Sequence, residues 1–486
     1  MIAEAALGLL PDPSLLIGDR RLAEASGGRY EHIYAATGRP TGTIPLAGEA
    51  EIDLAVAAAR AAAPGWASLP GDQRRNLLLR FASLLEQEAD TLARLSVIDN
   101  SIAIGIAKYG PYVAADSFRY NAGWADKIGG EVISTWPAAA LDYTHDEPYG
   151  VVAVIVPWNG PVYAMGMVLG PVLAAGNTVV VKPPELAPYA VLRLGELFLQ
   201  AGFPPGVVNI VPGGPAAGAA LTAHPDVDKI HFTGSGHTAQ HILANAAKRM
   251  TPVQLELGGK SASLVFDDAD LDAFSGQALA GIVNNSGQGC INPTRLLVQS
   301  GIYDAVIERL RGIADVLTVG DPTDEATVMG PVVDQRAVTR IMGMVGRAGA
   351  CGARLLTGGH RLGGALADGY FIAPTVFADV PPDAELAQTE VFGPVLAVTR
   401  FDTEEQGVAI ANGTVFGLAG YCWTQDLKRA HRVARSLTVG NVWINGFTGI
   451  PASVPFGGNR QSGYGRLGGI HGIREFLRPK NVWIAL

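Results

Sequence analysis

Cys290 closes the run Asn285-Ser-Gly-Gln-Gly-Cys290, a glycine-rich turn that follows the helical stretch Leu271–Val283. With Gly289 beside it the sulfur has little bulk around it, so a substrate carbonyl could reach it, and a thiolate there would be a nucleophile able to form acyl intermediates. A cysteine on its own is more often a small buried hydrophobe, which is the reading taken for Cys351 and Cys422. Glu256 precedes Cys290 by 34 residues and offers two chemistries. As a general base it would activate water. As the acid 22 residues after Gly234 it would be the ribose carboxylate of a dinucleotide fingerprint.

That fingerprint is Gly234-Ser235-Gly236-His-Thr-Ala239, which fits G-x-G-x-x-A and directly follows the predicted strand Lys229–Phe232. A helix opening there would turn free N–H groups toward a pyrophosphate. Gly463-Tyr-Gly465-Arg-Leu-Gly468 fits the same pattern without a preceding strand and reads as an ordinary turn. Gly259-Lys260-Ser261 ends like a nucleotide-phosphate loop, but Gln254 occupies the place of its first glycine, so that motif is absent. His237 and His241 have the spacing of a zinc helix, with His231 nearby, yet the acid of H-E-x-x-H is missing. They read as a polar helix face, and no metal is expected.

These residues need a scaffold, and the chain from Val151 onward supplies one. Val151–Val156, Thr178–Val181, Val207–Val211, Lys229–Phe232 and Pro252–Leu257 read as buried strands. The intervening Val162–Ala175, Leu186–Ala201, Ala216–Ala223 and His237–Lys248 have helical length and spacing. Apolar strands alternating with helices predict an α/β fold with a doubly wound parallel sheet, which binds ligands at the carboxyl ends of its strands. Glu49–Ala63, Gln73–Ile98 and Ile102–Ala125 are expected to be helices ahead of it. Ser263–Phe266, Arg295–Val298, Val395–Thr399 and Gly420–Thr424 start a second α/β series. Asn481–Leu486 reads as a strand with no partner nearby in sequence.

Composition narrows the function classes. The 486 residues carry net charge −9 with no basic block, which argues against nucleic acid as a partner. A 48% hydrophobic and 17% charged composition belongs to a globular chain. Three cysteines without C-x-x-C spacing give no disulfide framework and point to a reducing, cytoplasmic compartment. Met1–Leu10 lacks the basic region of a signal peptide. Residues 148–181 carry no charge, but their prolines and glycines favour a buried strand–helix–strand unit over a membrane span.

Glu256-Leu-Gly-Gly-Lys-Ser261 followed by Gly287-Gln-Gly-Cys290 resembles the paired signature of the aldehyde dehydrogenase superfamily. Pro157-Trp-Asn159, Lys182-Pro-Pro-Glu185, Phe232-Thr-Gly-Ser235, Glu390-Val-Phe392-Gly-Pro and Pro455-Phe-Gly-Gly458 occur in the family's order and extend the likeness over essentially the whole chain. The resemblance implies that Cys290 attacks an aldehyde to give a thiohemiacetal whose oxyanion is held by Asn159 and the Cys290 N–H. Hydride then passes to a nicotinamide, and Glu256 activates water to hydrolyse the thioester. It also implies NAD contacts from Trp158, Lys182, Glu185, Gly234, Ser235, Leu257, Glu390 and Phe392. Glu185 then becomes the ribose carboxylate, which frees Glu256 for catalysis and favours NAD, while Lys182 leaves NADP open.

The same resemblance implies a cofactor domain (1–129 and 148–258), a catalytic domain (259–449) and a β arm (130–147 and 470–486) that pairs across a subunit interface in a homodimer or homotetramer. The substrate tunnel would be lined by Gly160, Tyr163, Ala164 and Met167, and on its other side by Gly289, Ile291, Thr448 and Ile450. With no Arg or Lys in that set, the expected substrate is an apolar small-molecule aldehyde: aromatic, long aliphatic or terpenoid. Departures from the family pattern are Gly236 and Ala239 in the phosphate turn, a shortened Pro212–Ala216 loop, the Ile291–Arg295 segment, and Val168 and Leu467 where many relatives carry Lys and Glu. Three other readings remain at this point. A CoA-acylating relative would usually lack a base at Glu256. A non-catalytic structural member is the second, and a cofactor-free cysteine hydrolase, which would need a general-base histidine, is the third.

Overall fold

A computed structural model describes residues 7–486. The first six residues of Met1–Leu10, and of the 1–129 segment, lie outside it. Two sheets carry the molecule. The first has eight strands, and its parallel centre runs Val208–Ile210, Thr178–Lys182, Val151–Ile155, Lys229–Thr233, Val253–Glu256 across the sheet. From Val151–Ile155 the chain builds outward on one side, then returns to add Lys229–Thr233 on the other. The order therefore reverses between Val151–Ile155 and Lys229–Thr233, where an open parallel sheet forms its ligand crevice. These strands read as unbroken apolar runs because both faces are covered, and every residue of Val151–Ile155 and Thr178–Lys182 is buried.

Helix Pro161–Ala174 starts with proline at a position where a missing N–H costs nothing. Its Gly166 and Gly170 lie so close to Ala114 and Asn121 of helix Gly110–Ala122 that added side chains would collide with them. This fixes the helix rigidly behind the loop carrying Trp158 and Asn159. The charge-free 148–181 stretch is thus a strand–helix–strand unit, and no helix among the described residues is long and apolar enough to cross a membrane.

The second sheet runs Arg354–Thr357, Thr375–Ala378, Val395–Phe401, Arg295–Gln299, Ala262–Val265, Ala419–Trp423, Asn441–Ile444, parallel except at the first pair. Three of those strands, Arg354–Thr357, Thr375–Ala378 and Asn441–Ile444, go beyond the four expected. Helical stretches are more broken than expected. Gln73–Ile98 divides into Gly71–Gln87 and Ala89–Asn100 at Glu88, and Leu271–Val283 into Leu271–Ser275 and Ala280–Val283.

One C-terminal segment corrects the sequence reading, and a second finds its partner far away in the chain. Gly463–Tyr464 is a short antiparallel strand against Leu255–Glu256, so this turn completes the cofactor sheet beside Glu256. The tail strand, Leu477–Ala485, pairs along its whole length with Ala140–Pro148 of its own chain, Leu477 facing Pro148. The partner of the orphan strand is therefore the arm of the same molecule. Val132–Ile133 adds the third strand on the far side.

Candidate active site

Four parallel strands bring the candidate residues to one edge. Lys182 ends the first, Trp158 and Asn159 follow the second, Gly234 and Ser235 follow the third, and Glu256 ends the fourth. Ser235 caps helix Gly236–Ala247, its Oγ accepting from the N–H of Thr238 at 3.3 Å, which leaves the N–H groups of Gly236 and His237 in the first turn for an anion. Gly234 is required by packing, since a side chain there would run into the Phe232 ring. Lys182 is buried and donates to the carbonyls of Gly213 (2.5 Å) and Pro183 (3.3 Å). Burial pulls its ammonium down to about 8, against the opposing pull of Glu185.

The nucleophile's loop is held by backbone contacts. Asn285 and Ser286 both take positive φ (48° and 55°), and Gly287 follows at 75°. A side chain on Gly287 would strike the Gly393 carbonyl, and one on Gly259 the Cys290 carbonyl, so only glycine fits at either. Gln288 locks the turn, its Oε1 accepting from the N–H of Val333 at 2.9 Å. Gly289 is dictated by Asn292, whose amide would meet an added Cβ. Asn159 joins this loop through Nδ2, which donates to the Gln288 carbonyl at 2.9 Å, and Asn285 Nδ2 donates back to the Asn159 carbonyl at 2.7 Å. An amide carries two N–H groups, so one remains to Asn159 for a ligand.

Cys290 keeps partial access to solvent. Its thiol is nevertheless pushed up to about 12, first by burial and then by the carboxylates of Glu390 and Glu256. Both acids therefore share its site. Glu390 is itself raised to about 7 by burial, opposed by the Gly259 N–H that donates to its Oε1 at 3.0 Å and by Lys260 and Arg340. Gly258 leaves the space its other oxygen occupies. Glu256 is 5% exposed, and burial lifts its carboxyl well above the ordinary value. Its Oε1 accepts from Gln254 Nε2 at 3.1 Å, while Oε2 has no hydrogen-bond partner. Gly457, in the Pro455–Gly458 motif, leaves room for that carboxylate, since an added Cβ would stand 2.9 Å from Glu256 Oε1.

Phe392 has φ 48°, unusual for a bulky residue, with the Arg340 guanidinium donating to the carbonyls of Val391 and Phe392. Its ring meets Trp158 edge-on at 5.4 Å. Leu257 is buried, and its N–H donates to the Ser462 carbonyl at 3.0 Å. Gly160 opens onto free space, with only the Tyr163 Cβ within reach at 3.9 Å. The hydroxyls of Tyr163 and Tyr421 are held protonated, mainly by burial and secondarily by the neighbouring Cys290. Tyr421 donates to the Ile291 carbonyl at 3.0 Å, stacks on Trp443 and meets Phe447 edge-on. Sequence reasoning missed Tyr421, Trp443 and Phe447. The only signal was that Tyr421 lies in a predicted strand. Met167 packs against the core of the first sheet, while Ile450 and Thr448 sit on the loop after Asn441–Ile444, partly and openly exposed. Val168 and Leu467 are both buried in that core, so the positions often polar in relatives are dry here.

The sequence profile of the aldehyde dehydrogenase family matches residues 22–482. The chain belongs to this family. Among its aldehyde dehydrogenase relatives, one from Emericella nidulans is 41% identical over 96% of this chain and 94% of its own. The Arabidopsis thaliana aldehyde dehydrogenase family 2 member C4 is 41% identical over 97% of this chain and 95% of its own. Betaine aldehyde dehydrogenase from Staphylococcus aureus, solved in complex with NAD+, superposes with TM-score 0.97 at 33% identity, covering 100% of this chain and 97% of that one. The Pseudomonas protein PnpE in complex with nicotinamide adenine dinucleotide gives TM-score 0.95 at 40% identity, covering 98% of both chains. As an aldehyde dehydrogenase, the protein is an enzyme that oxidises aldehydes.

Proposed function

We propose that this aldehyde dehydrogenase oxidises an apolar aldehyde to its carboxylic acid with NAD, through a covalent Cys290 intermediate. The observation that carries the reading is the convergence at one sulfur of a buried carboxylate, Glu256, and the loop-bound amide of Asn159. Cys290 loses its thiol proton to solvent, Sγ bonds to the aldehyde carbon as the C=O π bond opens, and the carbonyl oxygen takes the negative charge. The free N–H of Asn159 and the Cys290 backbone N–H hold that oxyanion. NAD, when bound, supplies the hydride acceptor. The resulting thioester is opened by water whose proton goes to Glu256 Oε2, which is buried without a partner. The C–S bond breaks, the acid leaves and the thiol is restored.

The cofactor fits what the chain offers. Ser235 opens a capped helix at the point where strand order reverses, suited to a pyrophosphate. Glu390 keeps one oxygen after binding Gly259 and would take the nicotinamide ribose, with Trp158 and Phe392 beside it. Lys182 and Glu185 would take the adenosine ribose. A carboxylate there repels a 2′-phosphate, which favours NAD over NADP.

Substrate class rests on the aromatic surroundings of Cys290. Tyr163 and Tyr421, the latter backed by Trp443 and Phe447, offer an apolar wall, and Gly160 leaves room beside it. The arm sheet, with Val132, Trp136 and Trp483 exposed, is suited to burial against a second copy in a homodimer or homotetramer.

The test is NADH formation across acetaldehyde, hexanal, decanal, geranial, benzaldehyde and succinic semialdehyde, with NAD or NADP, with and without CoA. Turnover of the apolar members without CoA is the expected result. Absolute dependence on CoA would mean an acylating enzyme, and preference for succinic semialdehyde over benzaldehyde would overturn the substrate class. Asn159→Ala is expected to lower kcat by about 100- to 1,000-fold, as for other oxyanion donors. Stopped-flow NADH formation would read the loss in the first turnover.

A further inference from the structure

The buried hydrogen bonds behind Glu256 extend further than the carboxylate. Strands Lys229–Thr233 and Val253–Glu256 pair in parallel with His231 opposite Gln254 and Thr233 opposite Glu256. Alternate residues share a face, so these four side chains form one cluster on the sheet. His231 and Gln254 are completely buried. His231 Nδ1 bonds Gln254 Oε1, its Nε2 lies 3.0 Å from Thr233 Oγ1, and Gln254 Nε2 donates to Glu256 Oε1 at 3.1 Å.

Donor and acceptor roles follow from elementary bonding. An amide oxygen cannot donate, so Nδ1 carries the imidazole proton. Burial pulls His231 down to about 4, with Gln254 opposing and Lys229 assisting, so the ring is neutral and has that single N–H. Nε2 is then bare and accepts the Thr233 hydroxyl. Every donor points the same way, Thr233 to His231 to Gln254 to Glu256. The Gln254 amide is thus fixed with nitrogen toward the carboxylate, the orientation that favours the ionised acid.

We propose that His231 and Gln254 are positioning residues for the general base. Gln254, held in place by His231, donates to Glu256 Oε1 and so favours its ionised form, and Oε2 stays free for the proton of water. This rests on the reading of Glu256 as the base in deacylation. Of the other charged groups facing Glu256, Arg466 donates its own hydrogen bonds to the carbonyls of Gly458 and Gly465 and to Asn459 Oδ1. Glu475 is paired with Lys229 at 2.8 Å, and Cys290 is neutral as a thiol. Gln254 is the one side chain that donates to the carboxylate among the described residues.

The experiment isolates deacylation. Acyl-enzyme is formed with NAD and benzaldehyde or decanal in a single turnover, and the release of acid is followed by rapid quench across pH. A base must be ionised to act, so the hydrolysis rate falls as pH drops through the Glu256 pKa. Without the amide donor, Gln254→Leu is expected to move that midpoint upward by about one to two pH units and to slow hydrolysis below it by about 10- to 100-fold. Single-turnover NADH formation should stay unchanged. His231→Leu, which frees the amide to rotate, should shift the midpoint the same way. His231→Asn, whose amide N–H can stand in for Nδ1–H, should return it toward wild type. A folded Gln254→Leu with the wild-type midpoint overturns the proposal. If that variant does not fold, an unshifted midpoint in His231→Leu, or a shift that His231→Asn does not correct, overturns it instead. Wild-type enzyme that forms no acyl-enzyme would overturn the covalent mechanism and is distinguishable from either result.

Discussion

Cys290→Ala is expected to abolish aldehyde-dependent NADH formation, by on the order of a million-fold in kcat, the scale seen when other covalent enzymes lose their nucleophile. No other group can substitute, because Cys351 sits exposed at the end of helix Gln335–Ala348 and Cys422 is wholly buried in the second sheet. NAD binding, read by calorimetry, should survive, since Cys290 contributes nothing to the proposed ribose and pyrophosphate contacts. Loss of binding together with activity would point to a collapsed loop. The wild-type thiol supplies a second readout. With its pKa pushed up to about 12, thiolate is scarce at neutral pH in the free enzyme, so alkylation by iodoacetamide should still be accelerating above the pH at which an ordinary cysteine levels off. A plateau near an unperturbed thiol pKa would contradict the electrostatics described for Glu390 and Glu256.

Glu256→Gln carries the other large effect. Turnover is expected to fall by about 100- to 10,000-fold, the usual share of a general base. The first turnover should remain, so that NADH appears once per active site and then stalls with the acid still attached to sulfur. Mass spectrometry of the denatured protein would reveal the acyl adduct. The same substitution should raise thermal stability at neutral pH. Burial lifts the Glu256 carboxyl well above its ordinary value, so the folded state holds a proton that the unfolded chain gives up. Stability contributed by that proton is full below the unfolded pKa and is lost as pH rises through the folded one. Glutamine keeps the shape without that loss. The gain in Tm should shrink as pH falls toward the ordinary carboxylate range, and a variant less stable than wild type at every pH would contradict it.

The strands of the cofactor sheet were legible because burial on both faces leaves an apolar run, and Val151–Ile155 and Lys229–Thr233 fall within a residue of their expected ends. Glu256, Cys290 and Asn159 were legible through spaced motifs. What escaped depends on register between distant segments. Gly463–Tyr464 looked like a loose turn because its partner is Leu255–Glu256, about two hundred residues earlier. Asn481–Leu486 has no partner nearby in sequence because the strand it belongs to, Leu477–Ala485, pairs with the arm at Ala140–Pro148, far earlier in the chain. The break at Glu88 carries neither glycine nor proline. Gln254 was noticed only as a missing glycine, and His231 only as a neighbour of two other histidines. Their pairing depends on which residue of one strand lies opposite which of the next. Tyr421 was hidden for the same reason, since a strand reading says nothing about which loop its face meets.

The loop that carries Cys290 is enclosed by main chain: the Gly393 carbonyl against Gly287, the Gly330 carbonyl taking the Ser286 hydroxyl, and its own Cys290 carbonyl against Gly259. Backbone cannot be exchanged by point mutation, and almost any side chain added at these glycines would displace the sulfur. Adaptation to a new aldehyde therefore has few places to begin. Gly160, open on its free side, and the segment after Ile444 can change volume without disturbing the nucleophile. Laboratory evolution of this enzyme toward new substrates should accumulate its substitutions there, while the glycines around the cysteine stay as they are.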